Sequence, residues 1–89
     1  MKTLTINGEI MKSKQSLYIH LSRVFSLPAH FGYNLDALWD ILNETDEPTQ
    51  IKFLNSERAV LYLGEYGESL IHLFKKLDSD NKKYTVLFM

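Results

Sequence analysis

The chain of 89 residues is long enough for one folded domain with a single hydrophobic core, and too short for a deep active-site cleft between two domains. Hydrophobic residues make up 45% of it and aromatic residues 12%, a composition that argues against intrinsic disorder. The formal net charge of −1 gives no general attraction to nucleic acid, and the absence of cysteine excludes disulfide bonds and thiolate catalysis.

The acidic residues are unevenly distributed along the chain. Five of the eleven fall between Asp36 and Glu47, and no lysine or arginine occurs between Arg23 and Lys52. A local negative field on a nearly neutral protein predicts a cationic partner. No apolar run approaches the ~18 residues of a membrane span or has the character of a signal peptide. We therefore expect a cytoplasmic protein that contacts no membrane.

The first third of the chain predicts a strand followed by an amphipathic helix. Residues 2–6 alternate polar and apolar side chains, and Asn7-Gly8 closes the strand as a turn. Ser13 can cap the helix, which must end before Pro28 because proline disfavours a helical backbone in the residue before it. The apolar face of this helix consists of Leu17, Leu21, Val24 and Phe25.

The middle of the chain predicts a loop, a short helix and a second strand. The loop of residues 28–33 leads into a helix over residues 34–42. Residues 43–48 are polar and acidic and predict another loop, and residues 49–54 alternate as a strand. One face of the short helix is apolar and consists of Leu35, Leu38, Trp39 and Leu42.

The last third predicts two helices and a third strand. Ser56 can cap a short helix that runs through residue 63 and ends at Gly64. A longer helix begins near Gly67 and ends in the polar residues 78–83; its apolar stripe consists of Leu70, Leu73, Phe74 and Leu77. Residues 84–88 are rich in β-branched and aromatic side chains and predict a buried strand.

Strands separated by helical segments favour a parallel sheet with right-handed connections. We predict one α/β domain over residues 1–89, built in two layers. A three-stranded parallel sheet of order 1-2-3 would carry four helices on one face. This arrangement places Val86 and Phe88 on one face, as it does Ile51 and Phe53.

A second face of the short middle helix is acidic. Asp36 and Asp40 are one turn apart, Asn43 falls on the same stripe and Glu44 lies beside it. The two carboxylates would be about 6 Å apart along the helix, near the spacing of neighbouring phosphates in a nucleotide chain. Judged on residue types alone, a solvated helix face is the better explanation.

Other chemical roles fit less well. One helix supplies metal ligands from one side only, so we expect no metal site. Acid–base catalysis needs carboxylates on opposing walls of a cleft, so we do not expect an enzyme. Basic residues form no patch with aromatics, which argues against nucleic-acid binding. His20 and His72 fit structural or solvated roles and Trp39 fits the core, whereas His30 adjoins the acidic helix.

Residues 32–40, Gly-Tyr-Asn-Leu-Asp-Ala-Leu-Trp-Asp, resemble the signature of the barstar family, which comprises intracellular protein inhibitors of small secreted ribonucleases. The likeness covers essentially the whole chain and includes Ile6-Asn7-Gly8, Ser26-Leu27-Pro28, Pro48, Gly67-Glu68-Ser69 and Phe74. It implies the same sheet with four helices. It also implies that the second helix and its flanking loops plug a ribonuclease active site, with carboxylates where RNA phosphates would bind.

The resemblance implies a set of partner-binding residues: His30, Phe31, Asn34, Asp36, Asp40, Asn43, Glu44, Asp46 and Glu47. Asp40 matches the residue expected to enter the phosphate-binding centre. His30 and Phe31 stand where the best-known member has two tyrosines, and Asp46 or Glu47 stands near its loop glutamate. The implied partner is a cationic ribonuclease of the extracellular type, bound without a cofactor by a protein that is a monomer when free.

The chain departs from the best-known member at two places beside this set. Asn43-Glu44-Thr45 replaces a Thr-Gly-Trp segment, and Lys76 replaces a glutamate on the last helix. These differences leave the choice of partner open. The alternative function is an immunity or adaptor protein of the same fold that neutralises a different nuclease toxin.

Overall fold

Three parallel strands form the sheet in the computed structural model, which describes residues 1–89. β1 is Lys2–Asn7, β2 is Thr49–Leu54 and β3 is Tyr84–Phe88. The order across the sheet is β1-β2-β3, and Ile6 of the first strand lies opposite Phe53 of the second. The predicted parallel sheet and its strand order are confirmed.

One face of the sheet is buried and the other is open. The buried side chains alternate along the strands and are Ile6, Thr49, Ile51, Phe53, Tyr84 and Val86. Side chains on the opposite face include the exposed Thr3, Thr5, Thr85 and Leu87. Ile51 and Phe53 lie on the buried face together, as predicted. Phe88 packs on the same side, since its ring stacks on that of Phe53 with centroids 5.7 Å apart. The domain therefore has two layers.

β3 is not the buried strand that its composition predicts. It lies at an edge of the sheet, and Thr85, Leu87 and Phe88 are exposed. β2 has no exposed residue, because strands flank it on both sides. A β-branched and aromatic composition indicates a strand, whereas the position of that strand in the sheet decides how completely it is buried.

Four helices cover the buried face of the sheet. They are α1, Lys14–Phe25; α2, Leu35–Leu42; α3, Ser56–Leu63; and α4, Glu65–Asp80. A short 3-10 helix, Gly8–Ile10, follows β1. The buried side chains that these segments and their loops supply are Met11, Leu17, Tyr18, Leu21, Phe31, Leu38, Leu42, Ala59, Leu70, Leu73, Phe74 and Leu77. The whole predicted apolar stripe of α4 is among them.

The helix ends agree with the sequence only in part. Ser13 caps α1 as predicted, because its Oγ accepts a backbone N–H of the first turn at 3.1 Å. Ser56 is not the cap of α3; Asn55 holds that position in a left-handed conformation and makes no side-chain capping bond. α4 begins directly after Gly64 rather than near Gly67, since Gly64 turns the chain sharply with φ of 59°.

His20 on α1 holds the end of β1. Its Nε2 accepts the backbone N–H of Asn7 at 3.0 Å, which requires an unprotonated ring nitrogen. Burial lowers the pKa of His20, and the positive charge of Arg23 lowers this pKa further. The predicted structural role of His20 is confirmed, and His72 is exposed as predicted.

The protein should lose stability when His20 is protonated. The folded-state pKa of His20 lies below its ordinary value of 6.5. The contribution of neutral His20 to the free energy of unfolding is therefore complete above pH 6.5. It is lost as the pH falls from there through the folded-state pKa. His20→Gln keeps an acceptor that does not titrate and should flatten this part of the profile. Urea unfolding on either side of this window measures the effect, with the exposed His72→Gln as control; equal pH dependence in His20→Gln and wild type would contradict it.

Candidate partner-binding site

Asn34 fixes the start of α2. Its Oδ1 accepts the N–H of Ala37 at 2.8 Å, and its Nδ2 donates to the carbonyl of Gly32 at 3.1 Å. Asp36 lies in the first turn, where a carboxylate complements the positive end of the helix. Both polar atoms of the Asn34 side chain thus serve the cap, and its contact with a partner remains a prediction.

Four carboxylates on α2 and the loop after it form what we name the acidic row: Asp36, Asp40, Glu44 and Asp46. All four are exposed, and none takes part in either of the two salt bridges of the protein or in a side-chain hydrogen bond. Leu38 and Leu42 are buried and fix α2 to the core. Asp36 and Asp40 are therefore unpaired carboxylates on a helix that is firmly packed against the core.

Glu47, in the same loop, has a partner within the chain. The Nζ of Lys2 lies 3.8 Å from its Oε1, and both side chains are about half-exposed, so the pair contributes little stability. The sequence between Arg23 and Lys52 holds no lysine or arginine, so the base of this pair comes from elsewhere in the chain. Lys2 is distant in sequence, but β1 pairs with β2 and places it opposite Thr49, close to the acidic loop.

Asn43 is engaged in holding the end of α2. Its Nδ2 donates to the carbonyl of Trp39 at 2.9 Å, and its Oδ1 accepts from Nδ2 of Asn81 at 2.8 Å. The hydroxyl of Tyr84 donates to the carbonyl of Leu42 at 2.7 Å in the same region. The amide of Asn43 thus ties α2 to the turn before β3, and its contact with a partner remains a prediction.

The aromatic residues before α2 are arranged differently from the prediction. Phe31 is only 3% exposed and packs against Tyr18, with ring centroids 5.6 Å apart. Phe31 thus supports the loop from within the core, and its contact with a partner remains a prediction. Tyr33 is 61% exposed, and His30 is exposed as well. The sequence reasoning missed Tyr33, although an aromatic residue directly before the cap of α2 and outside its apolar face was the available signal.

A groove of about 220 Å³ separates α2 from α4. It is lined by Leu35, Asp36 and Trp39 from α2 and by Ser69, His72, Leu73 and Lys76 from α4. The Nζ of Lys76 lies 5.2 Å from the centroid of the Trp39 ring, within range of a cation–π contact. Trp39 is half-buried and packs against the core, close to its predicted role. Asp36 borders the groove, whereas Asp40 lies outside it.

The structure brings together no three histidine or acidic side chains that could hold a metal ion. None of its helices has both the length and the apolar character of a membrane span.

Comparison with known proteins shows the family of the chain. Residues 1–89 match the model of the family described as Barstar (barnase inhibitor), and the chain belongs to that family. It is also similar to the Bacillus subtilis (strain 168) protein named "Putative ribonuclease inhibitor YrdF". The two are 28% identical over 83 residues, which cover 92% of this chain and 91% of the relative. The resemblance carried by residues 32–40 is thereby confirmed.

Proposed function

We propose that the protein inhibits a small ribonuclease by closing its RNA-binding site with the acidic row of α2. The observation that carries the proposal is that the four carboxylates of the row are exposed and unpaired, and that α2, which holds Asp36 and Asp40, is fixed in the core by its other side. Membership of the Barstar family supports it, as does the ribonuclease-inhibitor name of the similar Bacillus subtilis protein. An inhibitor of this kind performs no catalysis itself.

The acidic row suits a site built to bind RNA phosphates. Asp36 and Asp40 are one helical turn apart, about 6 Å along the axis, so two carboxylates can occupy neighbouring phosphate positions. In the proposed complex, arginine and histidine side chains of the enzyme donate charge-assisted hydrogen bonds to Asp40, which are stronger than neutral ones. Because α2 is already folded and capped, little ordering entropy is lost on binding.

The proposed partner is a cationic ribonuclease, and the proposed biological role is protection of the producing cell from this toxin. A cationic active site and an unpaired acidic row attract each other before contact, which speeds association at low salt. The inhibitor acts in the cytoplasm under this proposal, where it meets enzyme that has not been secreted. His30, Glu44 and Asp46 are the remaining exposed candidates around the two aspartates.

The proposal is tested by titrating the purified protein into barnase and a panel of other small microbial ribonucleases while RNA hydrolysis is followed. We expect stoichiometric inhibition of at least one enzyme and slower association when salt is raised. Pancreatic-type ribonuclease serves as an unrelated control. If the protein inhibits none of the microbial enzymes at equimolar concentration, the proposal is contradicted. Binding to a DNA-cleaving enzyme instead would support the immunity alternative.

Lys76 should weaken the attraction to a cationic enzyme, because it lines the same groove as Asp36. Lys76→Glu is expected to speed association with the inhibited ribonuclease by roughly three- to tenfold at low salt, with less effect at high salt. Lys75→Glu is the matched control: it makes the same charge change on the same helix, but Lys75 lies near Phe88, with Nζ 5.9 Å from the ring centroid. Stopped-flow association rates that rise equally in both variants would rule out a local effect of Lys76.

A further inference from the structure

Tyr33 combines exposure with an unfavourable backbone. Only three residues other than glycine have positive φ, namely Ser26, Tyr33 and Asn55. Ser26 and Asn55 stand at helix ends, and both are small polar residues. Tyr33 has φ of 52° and yet leaves 61% of its surface exposed. A bulky side chain in this region is strained, so a tyrosine here carries a conformational cost while most of its ring faces solvent.

The ring of Tyr33 is held in place although it is exposed. Its centroid lies 5.3 Å from that of Phe31, at an interplanar angle of 66°. Tyr18 lies on another side, 6.2 Å away and nearly perpendicular. Tyr18 is itself fixed by a hydrogen bond between its hydroxyl and that of Tyr66. An aromatic ring that is already oriented loses little conformational freedom when it is covered by a partner.

Tyr33 also forms one wall of an open groove of about 400 Å³ against α1. The other lining residues are Lys14, Gln15, Tyr18 and Ile19. Ile19 is 46% exposed, so the floor of the groove is apolar surface in contact with water. The Nζ of Lys14 sits 4.3 Å from the centroid of the Tyr66 ring. This groove is separate from the one between α2 and α4.

The groove adjoins the surface proposed to meet the ribonuclease. Asp36 is three positions after Tyr33 in the sequence, so their Cα atoms are at most about 11 Å apart. A protein interface of ordinary size covers about 800 Å² on each partner, roughly 30 Å across. An enzyme seated on Asp36 and Asp40 therefore reaches Tyr33 and the edge of the groove.

We propose that Tyr33 is an aromatic anchor of this interface, and that the blocked ribonuclease inserts an apolar side chain between Tyr33 and Ile19. The inference rests on the proposed inhibitor function and extends its contact surface from α2 onto α1. Tyrosine is one of the residue types that dominate binding energy in protein interfaces. The contact adds an apolar element next to a row of charges, which allows the inhibitor to distinguish between ribonucleases with similar active sites.

The test uses Tyr33→Asn, measured with barnase or, if barnase is not inhibited, with the panel enzyme that the wild-type protein inhibits most strongly. Asparagine tolerates positive φ, so the variant should keep or raise the midpoint of thermal unfolding. Its inhibition constant should rise by about thirtyfold or more, the loss typical of a hot-spot aromatic. Ile19→Lys fills the groove without changing the loop and should weaken inhibition in the same direction. Leu61→Ala, which removes a 67% exposed apolar side chain from α3, should leave inhibition unchanged.

The outcomes separate this inference from the inhibitor function. Unchanged inhibition by Tyr33→Asn and Ile19→Lys, with inhibition still dependent on Asp40, overturns the anchor and leaves the function standing. Weaker inhibition accompanied by a lower unfolding midpoint in Tyr33→Asn assigns the residue a merely structural role and also overturns the anchor. Failure of the wild-type protein to inhibit any enzyme overturns both proposals.

Discussion

Replacing Asp40 with alanine is expected to weaken ribonuclease inhibition by roughly a hundredfold to several thousandfold. The estimate corresponds to about 3 to 5 kcal/mol, the cost of removing one partner from a buried ion pair and leaving the other charge unpaired. In the proposed complex the enzyme's cationic groups are desolvated around this carboxylate. Inhibition constants of the two proteins against the same enzyme measure the effect.

Asp40→Ala should leave the fold intact, because the carboxylate is exposed and has no partner within the chain. Its midpoint of thermal unfolding should therefore stay close to that of wild type. Glu57→Ala, which removes an exposed carboxylate from α3, is the matched control and should change inhibition little. Equal inhibition constants for Asp40→Ala and Glu57→Ala would remove Asp40 from the site.

Local sequence patterns were sufficient to predict most of the fold. The strands Thr49–Leu54 and Tyr84–Phe88 have the bounds that alternation and composition indicate, because these signals come from neighbouring residues. Asn34 was included in the predicted helix but is its cap, a difference of one residue. The roles of Ser56 and Gly67 were predicted wrongly. The start of α3 depends on how the chain leaves β2 at Asn55, and the start of α4 depends on how it turns at Gly64.

The candidate site was predictable in its charges and less so in its supporting contacts. Exposure of Asp40 follows from the amphipathic pattern of α2, which places the buried leucines on the other side. The engagement of Asn43 with Asn81 and the burial of Phe31 against Tyr18 join residues that are far apart in sequence. No local pattern encodes these contacts, so they could be found only from the folded chain.

Replacing Gly67 with alanine is expected to destabilise the protein, although alanine is the better helix former. Gly67 lies in α4 where it crosses α3, and an added Cβ would come within 2.3 Å of the carbonyl oxygen of Ala59 and 2.9 Å of the Cα of Val60. Helix propensity would favour alanine by about 1 kcal/mol. Overpacking costs about 1–3 kcal/mol and sometimes more, and here the contacted atoms are backbone and cannot rotate away. The steric cost should therefore exceed the gain in helix propensity.

We expect a net loss of about 2 kcal/mol in Gly67→Ala, which lowers the unfolding midpoint by about 10 °C in a domain of this size. Gly32→Ala is the matched control, since its added Cβ meets only the movable Nδ2 of Asn34 at 3.2 Å and an ordinary side-chain contact. An unfolding midpoint for Gly67→Ala at or above that of wild type would show that the helices separate easily. Below its midpoint, Gly67→Ala should still inhibit the ribonuclease, because the acidic row lies on α2 and the loop after it and not at this crossing. Asp40→Ala should show the opposite behaviour, with stability kept and inhibition lost, so the two variants together separate the support of the site from its chemistry.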